Sequence, residues 1–282
     1  MRAGVSTACL YPKLLEESVY DLALNGIAHT EIFVNTGSEL ERNYINGLAS
    51  TLKQFEVTCR SLHPFTCAME PMMFFSGYKR RVDDMLEFYK KYFEAMNILG
   101  AEIFIFHGNK KIPDISKEIY YESFSRLAET GREFGITVAQ ENVARCVSGS
   151  LSFMKDMVRN LGGDAKFVLD TKQSVRAGES NFDILRTLGS HIVHVHISDH
   201  GELGDCLQIG RGRFNIRKFL SMLNENSPDC SVMLELYRSN FEGISDLVNN
   251  YNTLVSMIGK LGRKEGNKLC NVLTAETRIQ RS

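Results

Sequence analysis

Five amphipathic stretches of this chain stop at a glycine and restart at once as an apolar run: Asn25-Gly26, Leu99-Gly100, Phe134-Gly135, Gly162-Gly163 and Leu188-Gly189. Glycine just past a helix supplies the left-handed cap, and a strand that follows immediately is the second half of a helix–strand repeat. Reading outward from these marks gives eight candidate strands, 2–8, 29–34, 57–63, 102–107, 136–141, 166–170, 192–197 and 231–236. Between them run helical periodicities. Leu40, Tyr44, Ile45, Leu48, Leu52 and Phe55 share one face, as do Val82, Met85, Leu86, Tyr89, Phe93, Met96 and Leu99. Strands alternating with helices in this number predict an α/β fold, a single (β/α)8 TIM barrel over residues 1–261. The alternative, a doubly wound open sheet, would bring a glycine-rich phosphate turn after its first strand, and Ala8-Cys9-Leu10-Tyr11-Pro12 is not one.

Three segments stand outside the repeat. Residues 64–78, rich in Met and Phe, read as a long loop forming a pocket wall or lid, and 198–214 as a polar, glycine-rich loop. Residues 262–282, with Lys264, Lys268, Arg278 and Arg281, read as a polar, basic C-terminal extension with little order.

Four of the apolar runs stop on a residue that binds metals. They are Ile136-Thr-Val-Ala-Gln-Glu141, Lys166-Phe-Val-Leu-Asp170, Ile192-Val-His-Val-His196 and Ser231-Val-Met-Leu-Glu235. A parallel barrel gathers its C-terminal strand ends on one face, where such folds place their chemistry. Carboxylates converging there without a cation would repel one another and lose solvation, so Glu141, Asp170, His196 and Glu235 together predict a site for one divalent metal. Oxygen and imidazole donors without thiolate suit Mn, Mg, Co or Zn. Glu31, His63 and His107 stand at or near the ends of the second, third and fourth strands and would complete the wall. His194 shares the face of His196 one layer deeper, where a hydrogen-bonded core role is expected; His29 and His191 begin strands and fall outside the site.

Composition narrows the class. The net charge of -1 argues against a protein built around a phosphate backbone, so a nucleic acid partner is not expected. No run approaches the roughly 20 apolar residues of a membrane span, and the N-terminus lacks the apolar core of a signal peptide. The 7 cysteines include no Cys-x-x-Cys pair and read as buried or incidental thiols, which predicts a cytoplasmic protein.

The strand ends resemble those of the xylose isomerase-like superfamily of TIM barrels, which holds sugar isomerases, ketose 3-epimerases and the endonuclease IV group. The resemblance rests on Gln140-Glu-Asn142, Val168-Leu-Asp-Thr171, His194-Val-His-Ile-Ser-Asp199 and Leu234-Glu235, and on the turn Gln208-Ile-Gly-Arg-Gly212. It implies that Glu141, Asp170, His196 and Glu235 are the four ligands of one metal. It also implies that Glu141 and Glu235 are an acid/base pair on opposite sides of a sugar carbon, working through an enediolate. Two departures weaken the likeness to endonuclease IV. Gln173 stands where the family often has His, and Gly204-Asp205-Cys206 stands where a third zinc would find an Asp-x-His. His63 and His107 match the two His ligands of that enzyme's first zinc, and their milder role is hydrogen bonding to substrate hydroxyls.

Lys172 and Arg211 are the nearest cations to the site. Each reads either as a partner for a substrate phosphate or oxygen, or as a structural ion pair and a solvated loop arginine respectively. With Glu31, His63, His107 and Asp199 they form the candidate substrate-binding set.

The function expected is a metal-dependent isomerase or epimerase of a sugar, sugar phosphate or polyol, with a small-molecule carbohydrate as partner. An endonuclease IV-like hydrolase at abasic DNA and a non-catalytic sugar-binding barrel are the alternatives. The resemblance leaves homo-oligomer formation open.

Overall fold

The eight predicted runs are all strands, and they close on themselves. The computed structural model describes residues 1–111 and 116–279, with side chains as far as residue 261. In chain order the strands are β1 (Arg2–Ser6), β2 (His29–Phe33), β3 (Thr58–His63), β4 (Ile103–Phe106), β5 (Thr137–Glu141), β6 (Phe167–Asp170), β7 (Ile192–Ile197), β8 (Asp199–Gly201), β9 (Gly204–Leu207) and β10 (Ser231–Leu234). All but β8 and β9 form a closed parallel barrel in the order β1-β10-β7-β6-β5-β4-β3-β2, ringed by helices. This is the expected TIM barrel.

Side-chain direction follows from the period of two along a strand. Ile103, Ile105, Ala139 and Val168 pack together as a small inner cluster, separate from the larger core between barrel and helices. The residues two positions beyond Ile105, Ala139 and Val168 are His107, Glu141 and Asp170, so the polar ends sit one layer above an apolar plug. Neighbouring strands are in register at that level, with Asp170 paired to His196 and Met233 to His196 on its other side.

The outer core is aromatic near β4. Phe104 is fully buried, with the rings of Tyr89, Phe93 and Tyr92 centred 5.2, 5.3 and 5.6 Å away. Truncating such a side chain to alanine costs about 3–5 kcal/mol. The helix Lys79–Leu99 that carries those rings ends at Gly100, whose φ of 71° is the left-handed cap anticipated from the sequence.

Two expectations need correction. Residues 64–78 are not one long loop: a 3-10 turn Phe65–Ala68 leads into the short helix Glu70–Phe74, which packs on the helix Lys79–Leu99. The segment 198–214 contains the antiparallel hairpin of β8 and β9. It is held by Asp199, whose carboxylate accepts from the backbone N–H of His200, Gly210 and Phe214 at 2.8, 2.9 and 3.1 Å. Only glycine fits at position 212, because a Cβ there would lie 2.3 Å from Asp199 Oδ1. The final helix is Ile244–Ile279; the side chains of the basic extension from residue 262 on, and residues 280–282, lie outside the described residues. No described helix is long and apolar enough to cross a membrane.

Candidate active site and metal centre

Glu141 ends β5, Asp170 ends β6, His196 is the fifth residue of β7, and Glu235 follows β10 directly. The barrel brings one ligand atom of each to within 4.8 Å of all the others. His196 Nδ1 is the hub, 3.4 Å from Glu141 Oε1, 3.4 Å from Glu235 Oε2 and 3.9 Å from Asp170 Oδ2. Around the barrel β5 and β10 are separated by β6 and β7, so the two glutamates reach the centre from well-separated directions.

Two of the ligands, His196 and Asp170, are held from outside the ring. Glu31 lies behind His196: its Oε2 is 3.1 Å from His196 Nε2 and accepts from Ser61 Oγ at 2.7 Å. This carboxylate–imidazole pair fixes which ring nitrogen faces inward. Asn142 fixes Asp170, accepting from its backbone N–H at 2.7 Å and donating to its carbonyl at 3.1 Å. The Asp170 carboxylate also caps the helix Thr171–Ala177 through Oδ1, which leaves Oδ2 for the ring.

A second cluster shares Glu141. His63 Nε2 and His107 Nε2 face each other at 2.9 Å, and Glu141 Oε2 lies 2.7 Å from His107 Nε2 and 4.0 Å from His63 Nε2. These three atoms also fall within 4.8 Å of one another. Glu141 Oε2 is buried, and among the described residues its near neighbour His107 Nε2, 2.7 Å away, does not meet it with hydrogen-bond geometry. Such an atom is available as a ligand to a cation. Three carboxylates with an imidazole in one group, and two imidazoles with a carboxylate in the other, fit divalent cations of the Mn, Mg, Co or Zn type.

Burial and charge set the electrostatics. Burial pushes the Asp170 carboxyl up to about 7 against the pull of Lys172. Burial works the same way on Glu141 and Glu235 but is outweighed there. His107 holds Glu141 well below the usual carboxylate range, and Lys172 lowers Glu235. Burial, reinforced by the neighbouring His107, lowers His63 to about 4, so its ring is neutral and free to donate a lone pair.

The remaining expected residues fall into place unevenly. Lys172 is buried at the ring, its ammonium bonded to Asp170 Oδ2 at 2.5 Å and to Glu235 Oε2. Glu31, expected among the substrate contacts, is wholly buried against His196 and is not among the residues lining the cavity above the ring. Asp199 is spent on the hairpin, and Arg211 is exposed and does not line the cavity above the ring. His194 lies one layer down, 3.1 Å from Glu31 Oε2, and His191 bonds the carbonyl of Ala165.

Above the ring a cavity of about 410 Å³ is lined by Ala8, Tyr11, Phe33, Asn35, Phe65, Lys172, Glu235, Leu236 and Tyr237. Phe65 belongs to the segment 64–78 expected to wall a pocket, whereas Tyr11, Phe33 and Tyr237 carried no sequence signal as cavity residues. Glu70 was also missed. It is fully buried and accepts from Gly108 N at 2.5 Å and Tyr89 Oη at 3.0 Å, which anchors the backbone next to His107. The two departures from the endonuclease IV pattern have other partners: Asp205 pairs with Arg176 at 2.5 and 3.1 Å, and Gln173 accepts from Ala144 N.

Comparison with solved structures gives the same architecture. A D-tagatose 3-epimerase-like protein superposes with a TM-score of 0.77 at 20% identity, covering 94% of this chain and 99% of that one. IolI protein with a bound zinc atom follows at 0.74, 17% identity, 93% and 99% coverage. An AP endonuclease, family 2, from Brucella melitensis gives 0.68, 17% identity, 87% and 96% coverage. At these identities the likeness establishes the fold. No curated protein matches the sequence. The family model described as xylose isomerase-like TIM barrel matches residues 19–258, and the chain belongs to that family.

Proposed function

We propose that the chain is a divalent-metal-dependent isomerase or epimerase of a sugar, sugar phosphate or polyol. One observation carries this reading: two glutamates reach one imidazole-centred ring from well-separated strands, and the ring opens on a cavity of small-molecule size. A divalent cation held by Glu141, Asp170, His196 and Glu235 would supply the Lewis acidity that makes a C–H beside a carbonyl removable. The chain's own residues do the rest. Glu235 lines the cavity and is placed to exchange a proton with the substrate carbon, while Glu141 lies deeper and takes the complementary position. His63 and His107 stand beside Glu141 as partners for substrate hydroxyls. Phe33, Phe65 and Tyr237 shield the site from bulk water, which favours proton return to carbon over loss to solvent. The epimerase-like neighbour adds support at the level of fold. The cytoplasm is the compartment we propose, since Cys9, Cys59, Cys67, Cys146, Cys206 and Cys230 are free thiols.

A second reading, a metal-dependent phosphodiester hydrolase with a paired-metal centre, is favoured by the His63–His107–Glu141 cluster. Against it stand Gln173 and the Asp205–Arg176 pair in the third-zinc region. The deciding experiment loads the protein with Mn²⁺ and follows deuterium incorporation from solvent into a panel of ketoses and ketose phosphates. Exchange that falls at least about 100-fold in Glu141→Gln and Glu235→Gln is expected. Nicking of an abasic duplex without sugar exchange would favour the second reading instead.

A further inference from the structure

Lys172 is, among the described residues, the only lysine or arginine in the fully buried class, at 4% exposure. Its ammonium donates to Asp170 Oδ2 and Glu235 Oε2. Both are ring atoms, 3.9 and 3.4 Å from His196 Nδ1. Asp170 has no second oxygen to offer, because Oδ1 accepts from the backbone N–H of Lys172 and Gln173 at 2.8 and 3.2 Å. A cation held by the ring and the Lys172 ammonium therefore draw on the same lone pairs, and their like charges repel. The cavity gives the ammonium somewhere to go. Lys172 lines it, and Nζ lies 5.7 Å from the centre of the Tyr237 ring, whose face attracts a cation.

Resting on the metal-dependent reading above, we infer that Lys172 is the ring's resident cation and exchanges with the divalent ion. Metal binding releases its ammonium from Asp170 and Glu235 into the mouth cavity, where it meets an oxygen of the substrate. Two properties follow. The ring binds divalent ions more weakly than its donor set would on its own, because each ion must displace a bonded ammonium. Substrate and metal also bind cooperatively, since an oxygen that holds Lys172 in the cavity removes the ion's competitor.

Calorimetric titration with Mn²⁺ of the wild type, Lys172→Met and Lys172→Arg tests the exchange. Lys172→Met is expected to bind Mn²⁺ roughly 10-fold tighter than wild type, and Lys172→Arg no tighter. A second measurement reads the lysine itself: acetylation of Lys172, followed by peptide mass spectrometry, should speed up when Mn²⁺ saturates the wild-type protein. If Lys172→Met is too unstable without metal for titration, a rise in Tm with Mn²⁺ from its lowered starting value that exceeds the rise in wild type supports the exchange in place of the titration. Equal affinities in wild type and Lys172→Met, or acetylation indifferent to Mn²⁺, overturn the inference and leave the metal-dependent reading standing. Absence of Mn²⁺ binding by both proteins overturns the two together.

Discussion

The two flanks of Glu141 are made of opposite materials. On one side two imidazoles converge on its Oε2, and among the described residues no ammonium or guanidinium bonds to them. On the other side two more carboxylates crowd around His196, and Lys172 already partly neutralises them. An incoming cation therefore meets different obstacles on the two sides. At the imidazole flank it competes with protons. At the carboxylate flank it competes with a lysine. Glu141 belongs to both clusters and couples them, so the charge taken up on one flank changes what the other will hold.

The largest test of this contrast removes the shared residue. Glu141→Gln takes an anionic ligand from both clusters at once, and equilibrium dialysis should show divalent-ion binding weakened more than about 100-fold. The one-sided variants should then separate the flanks. Asp170→Asn is expected to lose the ion of the carboxylate ring, while His107→Ala keeps it. Equal losses in the two variants would mean that the clusters form a single site, and the contrast would fail.

Much of this arrangement was legible in the chain, for a physical reason. Strand period and barrel closure are short-range and topological facts, and together they oblige Glu141, Asp170, His196 and Glu235 to meet. What escaped depended on distant contacts or on depth. Glu31 looked like a rim residue, yet it is the third residue of a five-residue strand, next to a register shift, and so lies beneath the ring. Lys172 was visible beside Asp170, but nothing local announces that its ammonium also binds Glu235, 63 positions further on. The hairpin of β8 and β9 depends on one buried aspartate gathering three amides, and a glycine-rich stretch does not reveal that. Glu70 sat in a segment without periodicity, and its partner Gly108 is 38 residues away.

Glu70 supports the imidazole flank, and its chemistry makes the support depend on pH. Burial pushes its carboxyl from 4.5 up to about 7, although His107, the Gly108 amide and Tyr89 pull the other way. A folded-state value above the unfolded one means that the folded protein binds the extra proton more tightly. That stabilisation is fully present below about 4.5 and is lost as pH rises through about 7. The full effect is at most about 3 kcal/mol, at 1.36 kcal/mol per unit. Glu70→Gln keeps an acceptor for Gly108 and a polar contact for Tyr89 without the titration. Its urea-unfolding free energy should lose that part of the decline between pH 5 and 8 relative to wild type. Parallel pH profiles for the two proteins would show that Glu70 does not titrate in this range.

Asn142 does for the carboxylate flank what Glu70 does for the imidazole flank, but without a charge. Its carboxamide grips Asp170 by both backbone groups and donates to Ser174 Oγ at 2.8 Å. Asn142→Ala leaves the Asp170 N–H without its acceptor and frees the start of the helix Thr171–Ala177 to shift. The ligand oxygen of Asp170 then loses its orientation while keeping its charge. The expected result is a fall of roughly 10-fold in Mn²⁺ affinity at the carboxylate ring, the scale of an outer support rather than of a ligand. Asn142→Asp should not restore it, because a carboxylate cannot donate to the Asp170 carbonyl or to Ser174 and adds another negative charge to the ring. Binding at His63 and His107 should be little changed in either variant, since Asn142 bonds neither imidazole. If Asn142→Ala weakens the two flanks equally, the supports are shared as well as the ligand, and Glu141 is not the sole coupling between them.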